Sequence, residues 1–187
     1  MRNQVNNASY NNDWYKAQIG ASRVKQVLWY FINVIFFINP LNPVSSLKIL
    51  LLKSFGASIG KDVLIKQAVN IKYPWKLVVG DNTWIGENVW IDNLAKIRIG
   101  NNVCLSQGAM LLTGNHDYSL PTFNLTARPI TLADGVWIGA KSVVCPGVHC
   151  ESHAVLAVNS VATHALAAYG IYQGNPAVRV RQRHIRA

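Results

Sequence analysis

Acid is scarce in this sequence. Its 187 residues include 8 Asp and Glu against 18 Lys and Arg, only 14% are charged, and half are hydrophobic. That balance excludes both intrinsic disorder and a highly charged coiled coil. Cysteine is equally sparse: Cys104, Cys145 and Cys150 form no CxxC pair and leave one thiol over under any disulfide scheme. Chain length excludes a disulfide-dense miniprotein, and a reduced cytosolic setting is the simpler reading. Long apolar runs are missing too. The strongest, residues 27–38 (VLWYFINVIFFI), has twelve residues, whereas a spanning helix needs roughly 20. Pro40, Pro43 and Lys48 prevent its extension. Residues 1–13 are polar and Asn-rich, without the basic segment, apolar run and cleavage site of a secretory signal, so export is not expected.

What the chain has in excess is positive charge. A net +10 on a single domain points to an anionic partner: nucleic acid, a membrane surface or a phosphorylated small molecule. The charge is not spread evenly. Residues 1–58 carry +5 and residues 164–187 carry +4, leaving +1 for everything between. That middle stretch has no basic-aromatic stripe of the kind that reads nucleic acid, so no nucleic-acid partner is expected.

The middle stretch is instead periodic. Aliphatic residues recur in steps of six at Ile59, Ile65, Ile71 and Leu77, restart at Val79, Ile85, Ile91 and Ile97, and continue with Ile99, Leu105 and Leu111. After an interruption, Leu132, Ile138, Val144, Cys150 and Leu156 resume the series. A small residue often follows the aliphatic one, as at Gly60, Gly80, Gly100 and Gly139, and turn formers such as Asp81-Asn82, Asn101-Asn102, Asp134-Gly135 and Pro146-Gly147 lie between. A short strand and a sharp bend every six residues make a triangular coil of three hexapeptides, stacked around a continuous aliphatic column. Residues 77–86 parallel 97–106 at an offset of 20, and a third copy at 130–139 lies 33 further on. About thirteen to fifteen residues are therefore inserted into one coil, roughly at 114–129.

This register resembles the left-handed β-helix of the hexapeptide-repeat acyltransferases, and Thr113-Gly114-Asn115-His116-Asp117-Tyr118 resembles their catalytic loop. The stretches Asn70-Ile71-Lys72-Tyr73-Pro74-Trp75-Lys76-Leu77 and Trp90-Ile91-Asp92-Asn93-Leu94 are similar to the colanic-acid-biosynthesis branch, called WcaF-like. The resemblance spans about residues 14–181. It implies a mainly β fold, a left-handed parallel β-helix over 59–163, preceded by a tail and helical cap (1–58) and followed by a basic tail (164–187). It also implies an O-acetyltransferase that moves acetyl from acetyl-CoA to a sugar hydroxyl by direct attack, without metal or covalent intermediate, as a homotrimer with active sites between subunits. Exopolysaccharide assembly is the expected role, with the cytoplasm, free or at the inner face of the membrane, as the expected setting.

Such a transfer needs a base near neutral pKa, and the inserted segment carries one, His116. Asp92 and Asn93, one coil earlier, and Asp117 are candidates to orient the imidazole or bind the acceptor, and each is equally a turn residue. An oxyanion donor is expected from a backbone N–H near Gly139 or Ala140. The resemblance places Trp137, Gly139, Ala140, Val158 and Thr163 beside CoA. Its phosphates fall to Arg179 or Arg181, because Val178 stands where the family often has Lys or Arg. Trp14 and Tyr15 are candidates for an acceptor pocket. Segments 22–38 and 47–55 read as helices that either cap the first coil or, with Lys25, Lys48 and Lys53, anchor to a membrane. A rival reading takes His116, His149 and His153 as zinc ligands of a γ-type carbonic anhydrase, although their places in the hexapeptides point to different edges.

Overall fold

The computed structural model describes residues 4–186. Its centre is a parallel β-solenoid of triangular section. The first face stacks Ser58–Ile59, Leu77–Val79, Ile97–Ile99, Ile130–Leu132 and His149–Cys150. The second stacks Leu64–Ile65, Trp84–Ile85, Cys104–Leu105, Trp137–Ile138 and Val155–Leu156, and the third Asn70–Ile71, Trp90–Asp92, Met110–Leu112, Val143–Val144 and Val161–Ala162. Every residue of the six-step aliphatic series is buried, which makes the column the hydrophobic core.

Two of the three edges are tight turns that need left-handed backbone. Asn82, Asn102 and Gly135 stack at the first-to-second edge with φ of 53°, 55° and 70°. Along that edge runs a ladder: Asp81 Oδ1 accepts from Lys61 N, Asn101 Oδ1 from Asp81 N and Asp134 Oδ1 from Asn101 N, at 2.7, 2.8 and 2.7 Å. The small residue after each aliphatic is required by contact between coils. A Cβ on Gly80 would stand 2.6 Å from the carbonyl carbon of Gly100.

The third-to-first edge is different. Partners on the first face are 20 residues apart at Leu77 and Ile97, 33 apart at Ile97 and Ile130, and 18 apart at Thr131 and His149. The two extra residues of the early coils lie in corners 73–76 and 92–96, and the large insertion lies directly after them in the stack.

The N-terminal helices close the first coil. Helix α1 is Asp13–Gln18, α2 is Arg23–Ile32 and α3 is Ser45–Ser54. The first coil has no strand above it, so its outward N–H and C=O groups need partners. Trp29 Nε1 donates to the Ile71 carbonyl (2.8 Å), and Asn33 Oδ1 accepts from Ile71 N (3.3 Å). Ser45 Oγ accepts from Ile65 N (2.8 Å) and Lys48 Nζ donates to the Lys66 carbonyl (2.6 Å). These helices therefore cover the outward groups of the first coil. The single helix expected over 22–38 changes at Asn33 to a π-helical segment, Asn33–Ile38, where Asn33 also donates to Asn70 Oδ1 (2.8 Å). Lys48, grouped above with lysines facing a membrane, is buried instead, and burial pushes its pKa down.

Residues 164–186, expected as part of a basic tail, contain two more strands. Gly170–Gly174 extends the second face in parallel beside Val155–Leu156, and Ala177–Gln182 folds back antiparallel against it. Among the described residues, no helix is long and apolar enough to cross a membrane.

Candidate active site

The insertion folds as a hairpin, Gly114–His116 against Leu125–Ala127, with His116 opposite Leu125. Its tip is held by Asp117, whose carboxylate accepts from the hydroxyl and the N–H of Ser119 and is held below the usual carboxylate range by those bonds. Asn6 N–H reaches across from the N-terminus to the Pro121 carbonyl (2.8 Å).

His116 is positioned on both sides. Its ring stacks on Phe123 at a centroid distance of 4.3 Å and an interplanar angle of 5°, with Tyr10 tilted over it at 5.9 Å. Nδ1 lies 2.8 Å from the Phe123 carbonyl oxygen. A carbonyl can only accept, so Nδ1 carries the hydrogen and the lone pair is on Nε2. Phe123 thereby fixes the tautomer that a general base requires.

Two clefts flank the imidazole. One, about 480 Å³, is lined by Tyr10, Asn12, Tyr15, Lys72 and Asp92. The other, about 460 Å³, is lined by Asp117, Arg128, Cys145, Pro146 and Thr163. In the first, Lys72 Nζ stands 3.1 Å from Asp92 Oδ1 but off the line of a hydrogen bond, which leaves that oxygen without a hydrogen-bond partner. Tyr15 is buried there with its hydroxyl unpartnered, and burial raises its pKa strongly. Trp14 packs edge-on against Tyr15, is itself 40% exposed and does not line the cleft.

Asn93 departs from the expected role. It is wholly buried, accepts from Tyr73 N (2.9 Å) and donates to the Tyr73 carbonyl (2.6 Å). Its carboxamide ties two swollen corners together and does not face the cleft. Asp117 lines the second cleft, but its carboxylate is spent on its own turn, and the hydrogen-bond partner of Nδ1 is Phe123.

The residues expected beside CoA divide into two groups. Thr163 lines the second cleft with His116. Trp137 lies on the second face, its indole N–H on Ser106 Oγ (2.9 Å), and Gly139, Ala140 and Val158 stack at the second-to-third edge. A Cβ on Gly139 would meet Val158 N at 2.6 Å, so glycine there lets the coils close. Arg179 and Arg181 are exposed on the last strand, opposite Tyr172 and Ile171, with Arg179 bonded to Gln182. A single chain does not bring this second group to His116. Arg183, counted above with the positive tail, caps the Gly135 and His153 carbonyls (2.8 and 3.2 Å).

The three histidines of the zinc reading stand apart. His149 pairs with Glu151 at 3.1 Å on the first face and His153 stacks on Tyr169. Among the described residues, no group of three His, Cys, Asp or Glu side chains is placed to hold a metal ion.

Tyr10, Asn12, Lys72 and Phe123 were not among the residues singled out from sequence. Only Lys72 had a signal, its place in the motif around Tyr73-Pro74-Trp75.

No family model matches the chain. It is 35% identical over 164 residues to the putative colanic acid biosynthesis acetyltransferase WcaF of Escherichia coli, covering 88% of this chain and 90% of that protein. It is 26% identical to the galactoside O-acetyltransferase of E. coli over 71% of this chain and 66% of that one. Among solved structures, a hexapeptide-repeat acetyltransferase of Vibrio cholerae complexed with acetyl coenzyme A superposes with a TM-score of 0.79 at 23% identity, covering 95% and 96% of the two chains. The galactoside acetyltransferase solved with coenzyme A gives 0.75 at 23% identity, over 85% and 80%. These structures share the solenoid fold, and the closeness to WcaF over nearly the whole length decides the relationship. The chain belongs to the hexapeptide-repeat acetyltransferases, alongside the colanic-acid acetyltransferase WcaF.

Proposed function

We propose that this protein transfers the acetyl group of acetyl-CoA to a hydroxyl of a saccharide, with His116 as general base, in exopolysaccharide assembly. The observation that carries this reading is the imidazole between two clefts, with Nδ1 tied to Phe123 and Nε2 free. As the acceptor oxygen bonds to the acetyl carbon, Nε2 takes the hydroxyl proton. The C–S bond then breaks, and the proton passes to the thiolate sulfur that leaves. No bond to the protein is formed.

The cleft of Tyr10, Tyr15, Lys72 and Asp92 is the acceptor side. A carboxylate oxygen without a hydrogen-bond partner and an ammonium beside it suit the vicinal hydroxyls of a sugar. The cleft of Arg128, Cys145 and Thr163 is the thioester side. Trp137, Gly139, Ala140, Val158, Arg179 and Arg181 complete the CoA site only if a neighbouring copy sets its second-to-third edge beside this hairpin, which is the homotrimer reading. The oxyanion donor, an N–H near Gly139 or Ala140, comes from that neighbour in the same arrangement. Support for acetyl-CoA comes from the two structural neighbours solved with it or with CoA.

The test is thiol release from acetyl-CoA with a panel of saccharide acceptors, run with the wild type and with His116→Ala. Loss of turnover with unchanged folding supports the assignment. Near-normal transfer by the variant overturns it. Sedimentation velocity checks the trimer, and a monomer at working concentration would remove the shared-site reading.

A further inference from the structure

Helix α2 and the π-helical segment Asn33–Ile38 that continues it carry apolar side chains on two sides. Inward, Trp29, Asn33 and Phe37 close the first coil. Outward, Val24, Leu28, Phe31 and Ile35 follow one another at spacings of four, three and four, and are 69%, 53%, 56% and 53% exposed. Leu41, beyond the helical turn, and Leu50 of α3 are exposed as well. A continuous exposed apolar stripe of this length marks a contact surface.

Charge identifies what would cover it. Residues 14–61 contain no Asp or Glu, but contain Lys16, Arg23, Lys25, Lys48, Lys53 and Lys61. Lys48 is spent inside the cap, Lys25 lies over the Trp75 ring at 5.1 Å and Lys16 is paired with Asp13 at 2.7 Å, which leaves Arg23, Lys53 and Lys61 exposed. A second copy of the same surface would set these cations against one another, the acids that bound the stretch being Asp13, already paired with Lys16, and Asp62. A surface that is apolar below and negative above matches instead, because apolar side chains enter the acyl boundary while cations remain among the headgroups.

We propose that the outer stripe of α2 and its π-helical continuation, with the exposed cations of residues 14–61, docks this protein on an anionic lipid bilayer. The docking is peripheral and does not depend on the catalytic assignment. Its consequence for the site is positional. A groove of about 750 Å³ between α2 and the third face, lined by Val27, Tyr30, Val34 and Trp90, shares Lys72, Tyr73 and Asp92 with the acceptor-side cleft. A bilayer against α2 therefore lies beside the place where the acceptor is bound.

The experiment is co-sedimentation of the full chain with vesicles of phosphatidylglycerol and phosphatidylethanolamine, and separately with vesicles of phosphatidylcholine. Binding is expected to the anionic vesicles, and to weaken about tenfold when salt rises from about 0.1 to about 0.5 M, as screening predicts. Phe31→Glu/Ile35→Glu should lower it by more than about tenfold, with an unchanged circular dichroism spectrum and unchanged thiol release with a soluble acceptor. Leu28→Ser/Phe31→Ser serves should the charged pair fail to fold. The proposal is overturned if the wild type stays in the supernatant, or if it binds phosphatidylcholine equally and without salt dependence. It is also overturned if the variants bind as the wild type does. A change of sedimentation mass in the variants, without vesicle binding by the wild type, would assign the stripe to a protein interface and overturn it too.

Discussion

Two edges of the same solenoid have been put to different uses. At the first-to-second edge three successive coils repeat one short turn, with a left-handed Asn or Gly and an acid or amide whose oxygen caps the N–H of the coil before it. At the third-to-first edge the coils swell, by two residues at 73–76 and 92–96, then by a whole hairpin, before narrowing again at Pro146-Gly147. The uniform edge keeps register. The swollen edge supplies side chains that the register does not need, and His116, Asp92 and Lys72 all come from it. A rigid ladder on one edge allows an irregular site on another, since each corner is anchored at both ends by strands.

The largest expected difference between the edges is catalytic. His116→Ala should lower turnover by about 10²–10⁴-fold, the range for removing a general base, with melting temperature unchanged. Asp134→Ala on the ladder should leave turnover within about twofold of wild type, because it touches no group near the hairpin and lies outside the range of strong coupling. Thiol-release kinetics on both variants tests the division, and a comparable loss in the two would abolish it.

Stability comes next. Asn93→Ala strips the part-buried N–H and C=O of Tyr73 of their partner, at a cost of about 1–3 kcal/mol. The ladder change Asp134→Ala frees the Asn101 N–H at an exposed position, and should cost less, about 0.5–1.5 kcal/mol. Urea unfolding at one protein concentration measures both. If Asp134→Ala costs more, the uniform edge is the stronger clamp and Asn93 has another role.

Asp92→Asn sharpens the distinction within the swollen edge. It keeps the shape and removes the charge beside Lys72. We expect KM for the acceptor to rise about tenfold, the effect of losing one charge-assisted hydrogen bond, with KM for acetyl-CoA unchanged. A rise in the acetyl-CoA value instead would move Asp92 to the other cleft.

The sequence was most readable where it was most regular. A period of six states which residue points inward, and each aliphatic position of that series is buried. The spacings of 20 and 33 located the insertion because a register break is arithmetic. The swollen corners are outside the period, so it does not say whether their polar residues turn in or out: Asn93 and Asp92 are adjacent, yet one is sealed in and the other lines a cleft. Tyr10 and Asn12 reach the site by a fold-back of the N-terminal segment, a long-range contact without a local pattern. The proposed base was legible as a histidine in an interruption. Its tautomer was not, because it depends on a backbone carbonyl seven residues away. Lys48 shows the converse error: a lysine in an apolar stretch reads as a surface charge, and here it satisfies an orphan carbonyl.

The smallest effect concerns Lys76, on the swollen edge. Its Nζ donates to the Leu94 carbonyl and lies over the rings of Tyr15 and Tyr73 at 5.1 and 5.8 Å. Desolvation lowers its pKa from 10.5. Between that lowered value and 10.5, the unfolded chain holds the proton more often than the folded one, so unfolding takes up protons and stability rises with pH. The contribution is complete above the unfolded value and is lost as pH falls through the folded one. Lys76→Met removes the titrating group and keeps most of the stem's packing. The slope of unfolding free energy against pH, measured in urea on the alkaline side of neutrality, should therefore be shallower in the variant than in wild type. Equal slopes in the wild type and Lys76→Met would mean that water reaches this ammonium in the folded protein, and that the swollen edge is as open as it is irregular.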